Sequence, residues 1–110
     1  MGKFVKGDVV VVPFPFSDLS QSKRRPALVL AALTGNDVIL CQITSKAVRD
    51  VYALDLTEKD FTTGNLQQDS NIRPNRVFTA DSKIILHRAG VLKTEKLQEV
   101  VTKLIQILNT

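Results

Sequence analysis

Apolar and polar positions divide this chain into short blocks, with one change of period near the end. GDVVVVPF places β-branched residues at positions 9–12, the make-up of a strand. Pro13 and Pro15 are expected to end its pairing, because proline brings no N–H to a ladder. SDLSQSKRR at positions 17–25 is polar and basic and reads as a loop. PALVLAAL is a second strand, opened by Pro26 at a position where a missing donor is tolerated. TGND is a turn signal, and VILCQITS is a third strand, so strands two and three form a hairpin. Residues 51–56, VYALDL, predict a shorter fourth strand. EKDFTTGNLQQDSN reads as a long polar connection, and RVFTAD and SKIILH as two further strands.

The period then changes. Leu97, Val100, Val101, Leu104, Ile105 and Leu108 recur at helical spacing and predict a helix over residues 95–108. Thr94 is the expected N-cap, and Glu95 suits the positive end of the helix dipole. The pattern is a mainly β fold (α+β) of five or six short strands closed by one amphipathic helix, a small barrel. No repeat, linker or low-complexity segment interrupts it, so residues 1–110 read as a single domain.

Composition adds compartment and partner. Hydrophobic residues make up 44% and charged residues 24% of the 110, an ordinary globular balance. No apolar stretch approaches the length of a membrane span, so no membrane partner is expected. The N-terminal MGKFVKGD lacks a hydrophobic signal core, which predicts no export. The single cysteine, Cys41, cannot close an internal disulfide, which points to a reducing cytoplasm. The formal net charge of +4 fits a polyanionic partner as well as it fits plain solubility.

The cations concentrate before Pro26. Lys23, Arg24 and Arg25 are consecutive, and a residue preceding proline is pushed toward extended geometry, which aims Arg25 reproducibly. A guanidinium held this way can grip phosphate oxygens through two parallel hydrogen bonds. Antiparallel pairing of strands two and three brings the end of QITSK to the same sheet edge, so Thr44, Ser45 and Lys46 face Arg25. DSNIRPNRVFTAD adds Asp69, Ser70, Arg73 and Arg76, read here as a loop. Taken alone, each group is more often a solvated loop or strand end. One histidine rules out a two-imidazole acid–base mechanism within one chain, and one Cys with one His makes no zinc-ligand set. His87 reads as structural and Cys41 as inert packing. There is no glycine-rich phosphate loop and no nucleophile elbow, so no cofactor or metal is expected. Phe14, Phe16 and Phe61 can stack on bases but more often fill a core.

In this order, GDVVVVPFPF, a polar loop, RRPALVL, CQITSK, DSNIRPNRVFTAD and an amphipathic C-terminal helix resemble the PemK/MazF family of toxins. The resemblance spans nearly the whole chain. It implies a small SH3-like β-barrel of the PemK/MazF/CcdB type, usually homodimeric. It implies a sequence-specific, metal-independent endoribonuclease (an mRNA interferase) cutting single-stranded RNA. It also implies a cognate antitoxin that covers the active face and joins the toxin in binding DNA. By similarity Arg25 and Thr44 are the catalytic pair. The RNA-binding set by the same reading is Gln21, Lys23, Arg24, Ser45, Lys46, Asp69, Ser70 and Arg73. Two positions depart from the family pattern. The first loop keeps only Gln21 of a Glu-Gln pair, and Asn75 stands where some members carry an acidic residue proposed as the base.

In such chemistry RNA supplies its own nucleophile, the 2′-hydroxyl. The protein must align it, help remove its proton and stabilise charge on the phosphorus. Arg25 suits the last task, Thr44 can orient an oxygen, and the base is left among Asp18, Asp69 and water. Two other classes fit the same barrel: a CcdB-type toxin that poisons DNA gyrase, and a non-catalytic RNA-binding SH3-like module. A shared, accessible site for Arg25 and Thr44 separates the nuclease from both.

Overall fold

The computed structural model describes residues 3–14, 23–45 and 49–110. Among the described residues seven strands form one antiparallel sheet: β1 (Asp8–Phe14), β2 (Lys23–Ala32), β3 (Asp37–Thr44), β4 (Leu54–Leu56), β5 (Phe61–Gly64), β6 (Ser70–Asp81) and β7 (His87–Leu92). The helix α1 (Thr94–Leu108) follows. Strand order across the sheet is β4-β6-β3-β2-β1-β7-β5. The sheet curls into a half-barrel, the expected mainly β fold with a C-terminal helix.

The three central strands explain the unbroken apolar runs. Alternate residues of a strand face opposite sides, and β1–β3 bury both faces. Val9, Leu28, Cys41 and Ile43 belong to one core, with Leu56, Ile72 and Val100 of α1. Val10, Val12, Ala27, Val29 and Leu40 form a second core on the other face, covered by Phe4, Phe78 and Ile85. A two-sided strand reads as continuous hydrophobicity rather than as alternation.

Curvature comes from irregular pairing. Register shifts occur between Val9 and Val10 of β1 against β7, and between Val29 and Ala31 of β2 against β3. A larger one separates the Cys41–Val77 pair from the Gln42–Arg73 pair. Pro74 sits inside that gap, where no ladder bond is asked of it. This is how one 12-residue strand passes through a proline.

Several expectations are corrected by these contacts. β1 continues through Pro13, which pairs with Arg24. The β1–β7 register ends at Val11–His87, so among the described residues Pro13 is paired on one side only. β2 starts at Lys23, so Lys23, Arg24 and Arg25 are strand residues rather than loop residues. Residues 51 and 52 lie in a turn, held by Tyr52 N–H donating to Asp50 Oδ1 at 3.0 Å, and only Leu54–Leu56 is strand. The long polar connection contains a short 3₁₀ turn (Glu58–Asp60) and β5. Ser70, Arg73 and Arg76 belong to β6 rather than to a loop, while Asp69 lies in the irregular segment just before it. Residues 82–84 form a 3₁₀ turn capped by Asp81, whose carboxylate accepts from Lys83 N–H at 2.9 Å. The last strand is therefore shifted to His87–Leu92, and His87 is exposed at its start rather than packed.

The helix begins at Thr94, with Lys93 in the cap position and no side-chain cap. Val100 is fully buried, while Leu97 and Leu104 pack against the core. Ile105 and Leu108 are 51% and 73% exposed, so the apolar stripe is covered for only part of its length. Among the described residues no helix is long and apolar enough to cross a membrane.

Candidate functional site

The β2–β3 hairpin positions the site. Ala27 pairs with Gln42. Continuing that antiparallel register by two residues brings Arg25 level with Thr44. β6 lies on the other side of β3 and pairs Asn71 with Thr44, which carries Ser70 to the same end of the sheet. The result is a cleft of about 210 Å³ lined by Arg24, Arg25, Thr44, Ser45, Gln68 and Ser70. Pro26, Ile43 and Leu66 complete its wall.

The two faces of the strand divide the cations. Arg25 is half-buried and Arg24 exposed, and their long stems bring both to the cleft. The Arg25 side chain has no hydrogen-bond or ion-pair partner among the described residues. Among the described residues, the charged groups lining the cleft are these two arginines, with no carboxylate. Thr44 and Ser70 are buried, each 6% exposed. Ser70 Oγ donates to the Gln68 carbonyl at 3.2 Å. The cleft thus offers a guanidinium free to meet an anion, with hydroxyl groups beside it.

Other site residues predicted from sequence fall elsewhere. Lys23 begins β2, exposed and opposite Phe14, and is not part of the cleft wall. Asp69 is exposed and opens on a neighbouring cavity. Arg73 points away to Asp50: its Nη2 and Nε reach Asp50 Oδ2 at 3.1 and 3.3 Å. The Tyr52 backbone N–H, then the Arg73 side chain and the Asn75 amide, hold the Asp50 carboxyl below the usual carboxylate range. Asn75 therefore supports this ion pair. Gln21 and Lys46 lie outside the described residues, as do Phe16 and Asp18. Phe61 is a core residue, 7% exposed, that also lines the cavity beside Asp69.

Cys41 is fully buried, and burial pushes its thiol up to about 12, which fits inert packing. Among the described residues no three His, Cys, Asp or Glu groups converge on a point that could hold a metal ion. Sequence reasoning missed Gln68 and Leu66 as cleft walls and Asp50 as the partner of Arg73. Gln68 stands two residues before Ser70, close enough to be flagged. Asp50 is 23 residues from Arg73 and carries no local signal.

Solved structures share this fold. MazF from Deinococcus radiodurans aligns with a TM-score of 0.74 at 21% identity, covering 100% of both chains. An endoribonuclease in complex with its cognate antitoxin from a mycobacterial species aligns at 0.75 and 14% identity, covering 97% of this chain and 96% of that one. The Mycobacterium tuberculosis toxin MazF-mt6 aligns at 0.73 and 13% identity, covering 93% and 96%. A search of curated proteins found no match. The family model for the PemK-like, MazF-like toxin of type II toxin–antitoxin systems matches residues 5–108. With the strand order, the helix and the basic cleft in place, that match over nearly the whole chain shows that this protein belongs to the PemK/MazF toxin family.

Proposed function

We propose that this protein is a sequence-specific endoribonuclease toxin that cuts single-stranded RNA by attack of the substrate 2′-hydroxyl. It acts in the cytoplasm as a single-domain homodimer and is held in check by a cognate antitoxin. One observation carries the reading: Arg25, unpaired among the described residues, shares a cleft with Thr44, Ser45 and Ser70. Buried, unreactive Arg25 and Thr44 would instead have favoured the gyrase-poisoning or purely RNA-binding alternatives; Thr44 is 6% exposed, but it lines the open cleft together with half-buried Arg25.

The chemistry follows from the groups. The 2′-oxygen bonds to the adjacent phosphorus, and the bond from phosphorus to the 5′-oxygen breaks. The 2′-hydroxyl loses its proton, and the departing 5′-oxygen gains one. Negative charge builds on the non-bridging oxygens between these events, and a preorganised guanidinium stabilises it. Thr44 donates to one of those oxygens or orients the 2′-hydroxyl. Arg24 at the rim, with Lys23 further out on β2, attracts the backbone without reading sequence. Unpaired RNA is the substrate, because bases must splay out to be read.

The test is cleavage of a single-stranded RNA pool and of its all-deoxy counterpart, with EDTA present. The wild type should cut RNA and leave the deoxy strand intact, since the chain needs only the substrate's own hydroxyl. Thr44→Ala should lower turnover more than binding, with Thr44→Ser retaining part of it. A folded wild type that cuts no RNA across a broad pool would sink the nuclease reading in favour of a non-catalytic one.

A further inference from the structure

Beside the cleft lies a second cavity of about 170 Å³, smaller than the clefts of roughly 300–1,000 Å³ that enclose drug-sized ligands. The two cavities share Leu66 and Gln68 as a common wall. The second has an apolar floor of Leu56, Phe61 and Leu66 and a rim of hydrogen-bonding side chains. A flat heterocycle needs this combination, apolar contact on its faces and polar contact on its edges.

Charge separates the two cavities. The charged residues lining the second are Glu58 and Asp69, both carboxylates, whereas those lining the cleft are Arg24 and Arg25. A phosphate is drawn to the cleft and repelled from its neighbour. A group with N–H donors on its edge has the opposite preference. Carboxylates accept from the exocyclic amines of bases, while the O4 of uracil would set acceptor against acceptor.

The wall between them is built by local bonds. Gln67 N–H donates to Asn65 Oδ1 at 2.9 Å, and Gln68 N–H donates to the Leu66 carbonyl. Ser70 Oγ reaches back from the cleft to the Gln68 carbonyl at 3.2 Å. The floor is fixed as well. Phe61 packs where Gly90 leaves room, since a Cβ at Gly90 would stand 2.7 Å from the Phe61 ring. The pocket is thus framed by the wall it shares with the Arg25 cleft.

We propose that this cavity is a nucleobase pocket. It receives one base of the strand whose phosphate lies at Arg25, and it selects a base carrying an exocyclic amine over one lacking it. Glu58 and Asp69 are its specificity-determining residues. The inference rests on reading the Arg25–Thr44 cleft as the place where RNA binds.

The experiment measures binding without cleavage. The full-length protein is titrated by fluorescence anisotropy with all-deoxy oligonucleotides that differ at one position at a time. The pairs are adenine against purine, cytosine against 2-pyrimidinone, and guanine against hypoxanthine, so that each removes only the amine. One position should show about a tenfold loss of affinity, the scale of one good base contact. Asp69→Asn with Glu58→Gln should reduce that discrimination below threefold. Both side chains belong to exposed residues, so the double variant should fold; a melting curve checks this, and each single variant serves if it does not. Discrimination at no position, or discrimination that survives the variants, overturns the pocket. Cleavage of RNA without amine discrimination removes the pocket and leaves the nuclease standing. Discrimination lost in the variants, in a protein that cuts no RNA, keeps the pocket and removes the nuclease. No measurable binding to any oligonucleotide counts against both.

Discussion

Replacing Arg25 by alanine tests the site most directly, because the structure separates its effect on chemistry from its effect on folding. Arg25 is half-buried, and its side chain has no hydrogen-bond or ion-pair partner among the described residues. Its removal breaks no described polar contact, so stability should change by no more than about 0.5 kcal/mol, as for an ordinary surface substitution. For a domain near 100 residues that is a melting shift of no more than about 4 °C. Catalysis should respond differently. Losing one preorganised donor at a developing charge costs roughly 100- to 1,000-fold in turnover. Solvent reaches Arg25, which weakens its field, so the lower end, about 100-fold, is expected. Arg25→Lys keeps the charge and loses the planar fork, and should recover only about tenfold of that loss. The salt dependence of RNA binding should flatten in Arg25→Ala by about 0.7 in slope, the contribution of one neutralised phosphate on a single strand. The assay is single-turnover cleavage of a fluorogenic RNA by wild type, Arg25→Ala and Arg25→Lys, with a melting curve for each. A folded Arg25→Ala that cleaves within threefold of wild type would refute the assignment. Full recovery in Arg25→Lys would refute the two-pronged grip while leaving a role for charge.

Two other predictions concern the frame around the site. The Asp50 carboxyl is held below its ordinary 3.8 by the Tyr52 N–H, Arg73 and Asn75. A depressed folded-state value means that its stabilisation is present above 3.8 and is lost as pH falls through the lower, folded value. Asp50→Asn should therefore melt lower than wild type at pH 6, and the gap should close in acid below pH 3.8; a constant gap across that range would show that the carboxylate's charge is not the cause. Gly90→Ala would place a Cβ 2.6 Å from the Thr63 carbonyl oxygen and 2.7 Å from the Phe61 ring, so β5 must shift. A loss of about 1–3 kcal/mol, read as a lower urea midpoint, is expected for such overpacking, and an unchanged midpoint would contradict the close approach of β5 and β7.

The features legible from sequence were those whose cause is local. Four valines in a row, PALVL and VILC announce strands because β1, β2 and β3 bury both faces. The TGND turn fixes the hairpin, and an antiparallel hairpin must bring its two open ends together. That is why the chain's own pattern places Arg25 opposite Thr44. The helical repeat of Leu97, Val100 and Leu104 likewise follows from a single buried stripe. Cys41 could be read as inert from its apolar neighbours alone.

Other features belonged to the tertiary structure. β5 is a four-residue edge strand of FTTG whose identity comes from its partner β7, not from its own pattern. β6 crosses Pro74 because Pro74, Asn75 and Arg76 bulge out of its pairing with β3, where Cys41 and Gln42 are consecutive, and only the paired strand reveals that. Arg73 looked like another phosphate ligand until Asp50, 23 residues away, occupied its guanidinium. The cavity beside the cleft gathers Leu56, Phe61 and Asp69 from three segments and exists only after they pack. Periodicity and turn chemistry act over a few residues and are written into the chain. Ion pairs, edge strands and cavities depend on which distant segments meet, and packing decides that.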